Sequence, residues 1–174
     1  MDFQAPTPNG PVRGSVELPG SKSQTNRALV LAAIAAGPST ILRPLLARDT
    51  ELMMSALVSL GARIDHTDNS VTVTPTQFAD TASIDCGLAG TVMRFVPPIA
   101  ALGHGKTEFD GDPRARERPM HTTIQSLRDL GVTIDDDGRD QYEVRLIHEG
   151  GPTSLFYQHN PLDVEGWRGD NFPF

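Results

Sequence analysis

Cysteine is all but absent from this chain. Cys86 stands alone, which excludes an internal disulfide framework and fits a reducing compartment. Beside Gly87 its thiol could act as a nucleophile, although an isolated cysteine more commonly serves as a small buried apolar residue. The histidines (His66, His104, His121, His148 and His159) show no i,i+4 pairing and have no companion cysteine, so a zinc site is not expected. Long apolar runs are missing too. The best stretch, 28–36, falls far short of the roughly 18 to 20 residues of a membrane span. The first residues carry Asp2, Glu17 and prolines but no apolar core segment, so they do not read as a secretory signal. Cytoplasm is the expected location, with no membrane partner. An excess of basic charge is lacking as well: the formal net charge is −7, and no nucleic-acid footprint is expected.

What the chain does contain is a repeat. Leu57, Leu60, Gly61, Ile64 and Asp65 recur as Leu127, Leu130, Gly131, Ile134 and Asp135, 70 residues later. Each copy reads as the end of an amphipathic helix, a glycine stop and a strand, and each is followed by a turn and a further strand (70–74 and 142–147). Earlier in each copy an arginine opens an apolar helical run that closes on glycine: Arg27 to Gly37, and Arg94 to Gly103. Short strands at 39–42 and 106–109 and helices at 49–60 and 119–130 complete the correspondence, with leading strands at 15–18 and 83–86. The pattern predicts an α/β (α+β) chain built from βαβαββ units. They run over 21–80 and 81–149, after an N-terminal strand and linker at 1–20 and before an unassigned tail at 150–174. Chance identity among common residues is the rival explanation, and the matching order of elements argues against it.

Cationic residues gather in three short segments. In the first, Pro19-Gly20 turns the chain and a helix starts with Ser21 or Ser23 as N-cap, running to Gly37-Pro38. Hydroxyls, free backbone N–H groups, the positive helix end and Lys22 converge there, and Arg27 lies about one turn further on. A nucleotide P-loop needs Gly-x4-Gly-Lys-Ser/Thr. Here Ser21 precedes Lys22 and Val16 holds the first glycine position, so that reading fails. A capped surface helix with incidental charges stays open for this segment by itself. The second segment, 85–94, again runs a strand into a glycine-rich turn. Gly90 lets a ligand approach the backbone, Thr91 follows, and Arg94 repeats the placement of Arg27. A plain tight turn would use the glycines equally well. Pro97-Pro98 is expected to distort the following helix early. In the third segment, 110–119, Arg114, Arg116 and Arg118 alternate between Pro113 and Pro119. Taken separately it reads as a solvated charge run, partly neutralised by Asp110, Asp112 and Glu117.

Together the three segments resemble the enolpyruvyl transferase family, and within it the 5-enolpyruvylshikimate-3-phosphate synthases. PGSKSQTNRALVLAA (19–33) is similar to the PGSKS-x-x-NRAL signature, GLAGTVMRF (87–95) to GNAGT-x-x-R, and GDPRARERPM (111–120) to GEP-x-x-x-ERP. They occur in the family's order, over about 12–144. The UDP-sugar branch would carry Lys-Asn in place of Lys22-Ser23 and a cysteine-bearing loop in place of 112–118. The resemblance implies an inside-out α/β barrel of three units per domain, of which about two are recognisable here. It implies transfer of the enolpyruvyl group of phosphoenolpyruvate to the 5-hydroxyl of shikimate 3-phosphate, releasing phosphate, with no metal or organic cofactor. By position, Lys22 would contact both substrates and be the catalytic residue. Ser23 and Arg27 would hold shikimate 3-phosphate, and Gly90 and Arg118 would hold phosphoenolpyruvate. Thr91 would add a substrate contact, and Arg94 and Arg114 would shape the cationic field. Glyphosate, an inhibitor of the family, would occupy the phosphoenolpyruvate subsite.

Two departures stand out. Leu88 replaces the asparagine of the commonest pattern, which removes one polar group near phosphoenolpyruvate. The Ser-Ser-Gln run that should open a third unit is not found. The chain is therefore expected to supply the N-terminal half of a site completed by the missing C-terminal part of the enzyme, and to be inactive by itself. The alternative is a truncated, non-catalytic chain that binds shikimate 3-phosphate weakly or acts only as an interaction module.

Overall fold

The computed structural model describes residues 5–7, 10, 11, 13–136 and 145–147. Helix α1 spans Lys22–Ala33 and is preceded by Ser21 as N-cap, whose side chain accepts from the Gln24 N–H at 3.4 Å. Its buried positions, Thr25, Asn26, Leu29 and Ala32, fall on one stripe at helical spacing. Strand β1 (Ser39–Leu42), helix α2 (Arg48–Ser59) and strands β2 (Arg63–Thr67) and β3 (Ser70–Thr74) follow. At the start of α2 the Thr50 hydroxyl accepts the Ala47 N–H at 2.7 Å. Asp49 and Glu51 lie in that first turn, where negative charge complements the positive helix end.

The second half repeats this order behind one more strand. It runs β4 (Thr81–Asp85), α3 (Gly90–Ala100), β5 (Lys106–Asp110), α4 (His121–Asp129), β6 (Thr133–Asp135) and β7 (Arg145–Ile147). One sheet has the order β1-β3-β2 and is antiparallel throughout. The other has the order β4-β5-β7-β6, so β5, β7 and β6 reproduce the arrangement of β1, β3 and β2. Strand β4 is added parallel to β5. The duplication read from sequence is thus present in strand order as well as in residues. Among the described residues the sheets stay separate and no barrel closes. The rest of the 142–147 strand and the tail at 150–174 lie outside the described residues.

Helices α1, α2 and α3 pack on one another, the first sheet lies against α1 and α2, and β4 lies against α2. Leu29, Met53, Leu57, Val71, Val73, Ile84, Met93 and Val96 fill the space between. Both repeat glycines take left-handed backbone after their helices, Gly61 at φ 112° and Gly131 at φ 87°. In that region a side chain would be strained, which explains why each copy keeps glycine as its helix stop. Among the described residues no helix is long and apolar enough to cross a membrane.

Three expectations need correction. Residues 15–18, read as a strand, form none: Val16 and Leu18 are 79% and 80% exposed, and no neighbouring strand offers them a ladder. Alternating apolar residues signal a pleated segment, but a strand exists only where a partner accepts its hydrogen bonds. Helix α1 ends at Ala33 rather than at Gly37, and the chain bends through 35–37 to reach β1. Helix α3 runs through Pro97 and Pro98 to Ala100. An interior proline costs about 3 kcal/mol. Burial of Val92, Met93, Val96 and Ile99, at about 1.5–3 kcal/mol for each large apolar side chain, is enough to offset it.

Candidate active site

The first turns of α1, α2 and α3 meet at one end of the helix cluster, and a single buried side chain ties them together. Asn26, fully buried on α1, donates from Nδ2 to the Thr91 hydroxyl of α3 at 2.6 Å and approaches the Asp49 carbonyl of α2 at 3.5 Å. Its Oδ1 is buried and has no partner among the described residues. Lys22, the first residue of α1, forms an ion pair with Asp49 Oδ2 at 2.8 Å. Neither α1 nor α3 has an acidic residue in its first turn, and the Ala89 cap of α3 has no side-chain hydrogen bond. The backbone N–H groups at these ends are therefore suited to an anionic ligand.

Two arginines repeat one device. Arg27 donates from Nη1 to the Ser23 carbonyl at 3.1 Å and to the Ser23 hydroxyl. Arg94 donates to the Gly90 carbonyl at 3.3 Å, again four residues back along its own helix. Each guanidinium thus lies along the first turn of its helix. The Arg27 guanidinium carbon also sits 5.4 Å from the centroid of the Phe95 ring.

Arg118 reaches the same end from the loop after β5. Asp112 N–H donates to the Gly87 carbonyl at 3.1 Å, and successive turns close from Ala115 N–H to Asp112 and from Arg118 N–H to Ala115. Ala115 is fully buried beneath this loop. Arg48 at the start of α2 grips Asp112 at 3.0 Å, and Arg116 grips both oxygens of Asp110 at 2.9 Å. These pairs are exposed and individually weak, but they divide the roles in the arginine run. Arg116 is committed to the loop itself, whereas Arg118 reaches Gly90. A Cβ on Gly90 would lie 3.0 Å from Nη1 of Arg118 and 3.0 Å from Nη1 of Arg94. Arg114 stands exposed in the loop, and no side-chain contact among the described residues draws it to this corner.

An ion pair and two hydrogen bonds therefore link Lys22, Asp49, Asn26 and Thr91. Gly90 is the residue before Thr91 on α3, and the guanidinium groups of Arg94 and Arg118 lie beside it, with Ser23 and Arg27 close by. In a chain of net charge −7 Lys22, Arg27, Arg94 and Arg118 gather at this corner, where Asp49 and Glu51 of α2 offset part of their charge, and a cationic cluster of this kind attracts and orients polyanions. An open groove of about 650 Å³ lies nearby, walled by Glu17, Gly20, Arg43, Asp68 and others. None of the corner's cations lines it, and its two carboxylates oppose an anion.

A model of the family described as EPSP synthase (3-phosphoshikimate 1-carboxyvinyltransferase) matches residues 6–156. The chain belongs to the EPSP synthase family. A curated 3-phosphoshikimate 1-carboxyvinyltransferase of Kocuria rhizophila is 48% identical, with the match covering 85% of this chain and 36% of that protein. Two solved EPSP synthase structures from Acinetobacter baumannii superpose with TM-scores of 0.70 and 0.69 at 23% identity, each covering 78% of this chain and 32% of theirs. These superpositions bear out the enolpyruvyl-transferase-like fold. The chain spans about a third of the length of these EPSP synthases. Sequence reasoning missed Asp49 and the bridging part played by Asn26. Asn26 belongs to the matched signature, but nothing in the signature says that it faces inward. Asp49 was legible only as a helix-start residue.

Proposed function

We propose that these residues form the N-terminal, anion-gripping part of a site that transfers the enolpyruvyl group of phosphoenolpyruvate to the 5-hydroxyl of shikimate 3-phosphate and releases phosphate. The observation that carries this reading is the gathering of Lys22, Gly90 and Arg118 at one helix corner, where Asp49, Asn26 and Thr91 tie the helices together. In it Lys22 contacts both substrates, and Ser23 and Arg27 hold shikimate 3-phosphate. The Gly90 backbone and Arg118 hold phosphoenolpyruvate, the subsite glyphosate would share. Thr91 adds a hydroxyl to the substrate contacts, and Arg94 and Arg114 contribute to the field. Both substrates are polyanions, so juxtaposing them costs like-charge repulsion, which fixed cations offset. Orientation in a water-poor cleft then lowers the barrier further.

The reaction also needs proton transfer, and Asp49, the carboxylate that reaches Lys22 at this corner, is committed to that ion pair. Proton donors and acceptors would come from beyond the described residues. The 174-residue polypeptide is accordingly expected to bind shikimate 3-phosphate without releasing phosphate from the substrate pair. A cytoplasmic setting suits the single buried thiol of Cys86.

Calorimetric titration with shikimate 3-phosphate tests the reading. Removing one charge-assisted hydrogen bond costs about 1.5–3 kcal/mol, so Lys22→Ala and Arg27→Ala should each weaken binding by roughly ten- to a hundredfold. Absence of binding by the unaltered chain, or affinity unchanged in Lys22→Ala, would overturn it.

A further inference from the structure

We infer that Phe95 is a positioning residue for Arg27: its ring underlies the guanidinium and holds the fork ready for an oxyanion. This rests on the proposed shikimate 3-phosphate role of Arg27. The geometry follows from the helix junction. Asn26 of α1 is bonded to Thr91 of α3 at 2.6 Å. Arg27 is the next residue on α1, and Phe95 is one turn beyond Thr91 on the same face of α3. The junction that fixes Asn26 against Thr91 thereby carries the Phe95 ring to the guanidinium, whose central carbon is 5.4 Å from the ring centroid. That lies within the range in which an aromatic face attracts a cation.

Arg27 is thus held from two directions. Ser23 takes hydrogen bonds from Nη1 along one edge, and the guanidinium carbon lies over the Phe95 ring. Nε and Nη2 have no partner among the described residues and remain available as donors. A long exposed arginine loses much rotamer freedom when it grips a ligand, and a planar fork already held in place loses less. Phe95 itself is partly buried and packed against the core, so its ring has little freedom of its own to lose. In the aligned first copy the corresponding position is Ala28, which follows Arg27 as Phe95 follows Arg94. The aromatic ring belongs to one copy and serves the arginine of the other.

The test uses the full 174-residue chain with Phe95→Tyr, Phe95→Met and Phe95→Leu, each also combined with Arg27→Gln, and thermal melts monitor the fold. Shikimate 3-phosphate affinity should fall about two- to fivefold in Phe95→Met and Phe95→Leu, and stay within about twofold in Phe95→Tyr. In the Arg27→Gln background the ring substitutions should have no further effect, since the coupling would be gone. Unchanged affinity in Phe95→Met, or an equal loss with and without Arg27, would overturn the proposal and leave Phe95 as core packing. A second measurement does not depend on the substrate. In nitrogen-15 NMR of the unaltered chain, the Arg27 Nε–H signal, assigned by its loss in Arg27→Gln, should be ring-shifted and motionally restricted, and Phe95→Met should abolish both properties. A signal lacking these properties in the unaltered chain sinks the inference even if every Phe95 variant misfolds. If instead the unaltered chain shows this signal but binds no shikimate 3-phosphate, the substrate reading fails while the positioning of Arg27 by Phe95 stands.

Discussion

Gly90 has two guanidinium groups poised where its side chain would be, each 3.0 Å from an added Cβ. Both contacts are to the far ends of flexible side chains, so Gly90→Ala should leave the fold intact and displace Arg94 and Arg118 instead. The expected result is a melting temperature close to that of the parent and phosphoenolpyruvate binding weakened about tenfold in calorimetry, in keeping with a misplaced charge-assisted donor. Unchanged binding would remove these arginines from the anion site. Lys22, Ser23, Arg27, Gly90 and Arg118 could be proposed from the sequence because their three runs together resemble the family's signatures; taken separately, the runs also read as a capped helix, a tight turn and a solvated charge run. Asp49, Asn26 and Phe95 were not legible in their roles. Each acts through a neighbour brought close by packing: Asn26 meets Asp49 and Thr91 at separations of 23 and 65 residues. No local pattern encodes such a meeting.

At the scale of elements, the twin glycine stops explain why the helices and strands after them could be placed from sequence. Gly61 turns the chain with φ 112°, and a Cβ there would lie 2.5 Å from the Gln77 carbonyl oxygen. Backbone cannot yield as a side-chain tip can. Gly61→Ala should therefore destabilise the chain by at least about 1–2 kcal/mol from the left-handed backbone alone. The check is the midpoint of urea unfolding, and a variant as stable as the parent would show that the turn relaxes freely. Elements that failed to follow the sequence pattern did so because of their surroundings. Residues 15–18 have the alternation of a strand but no ladder partner, and α3 keeps its helix through two prolines because its apolar side chains are buried where it packs against α1 and α2. The parallel position that β4 takes beside β5 has no counterpart beside β1 among the described residues.

For the whole molecule, several large apolar side chains face water: Val16, Leu18, Leu31 and Leu42 are all more than half exposed. Clustered apolar exposure promotes association. A polypeptide of these 174 residues is expected to self-associate in sedimentation at micromolar concentration, and Val16→Lys with Leu18→Lys should shift it toward monomer. A clean monomer with a cooperative melt would show that the exposed residues are tolerated singly. Sequence reasoning anticipated a duplicated α/β chain, and strand order bears it out. How the two copies join could not be read, because that depends on which helix faces meet.

The Asn26 junction has a consequence for how such a protein can change over generations. The same amide that closes the interior also sets the spacing between the residues proposed to grip the ligand. Any replacement there alters robustness and recognition in one stroke, so neither trait is free to drift while the other is kept.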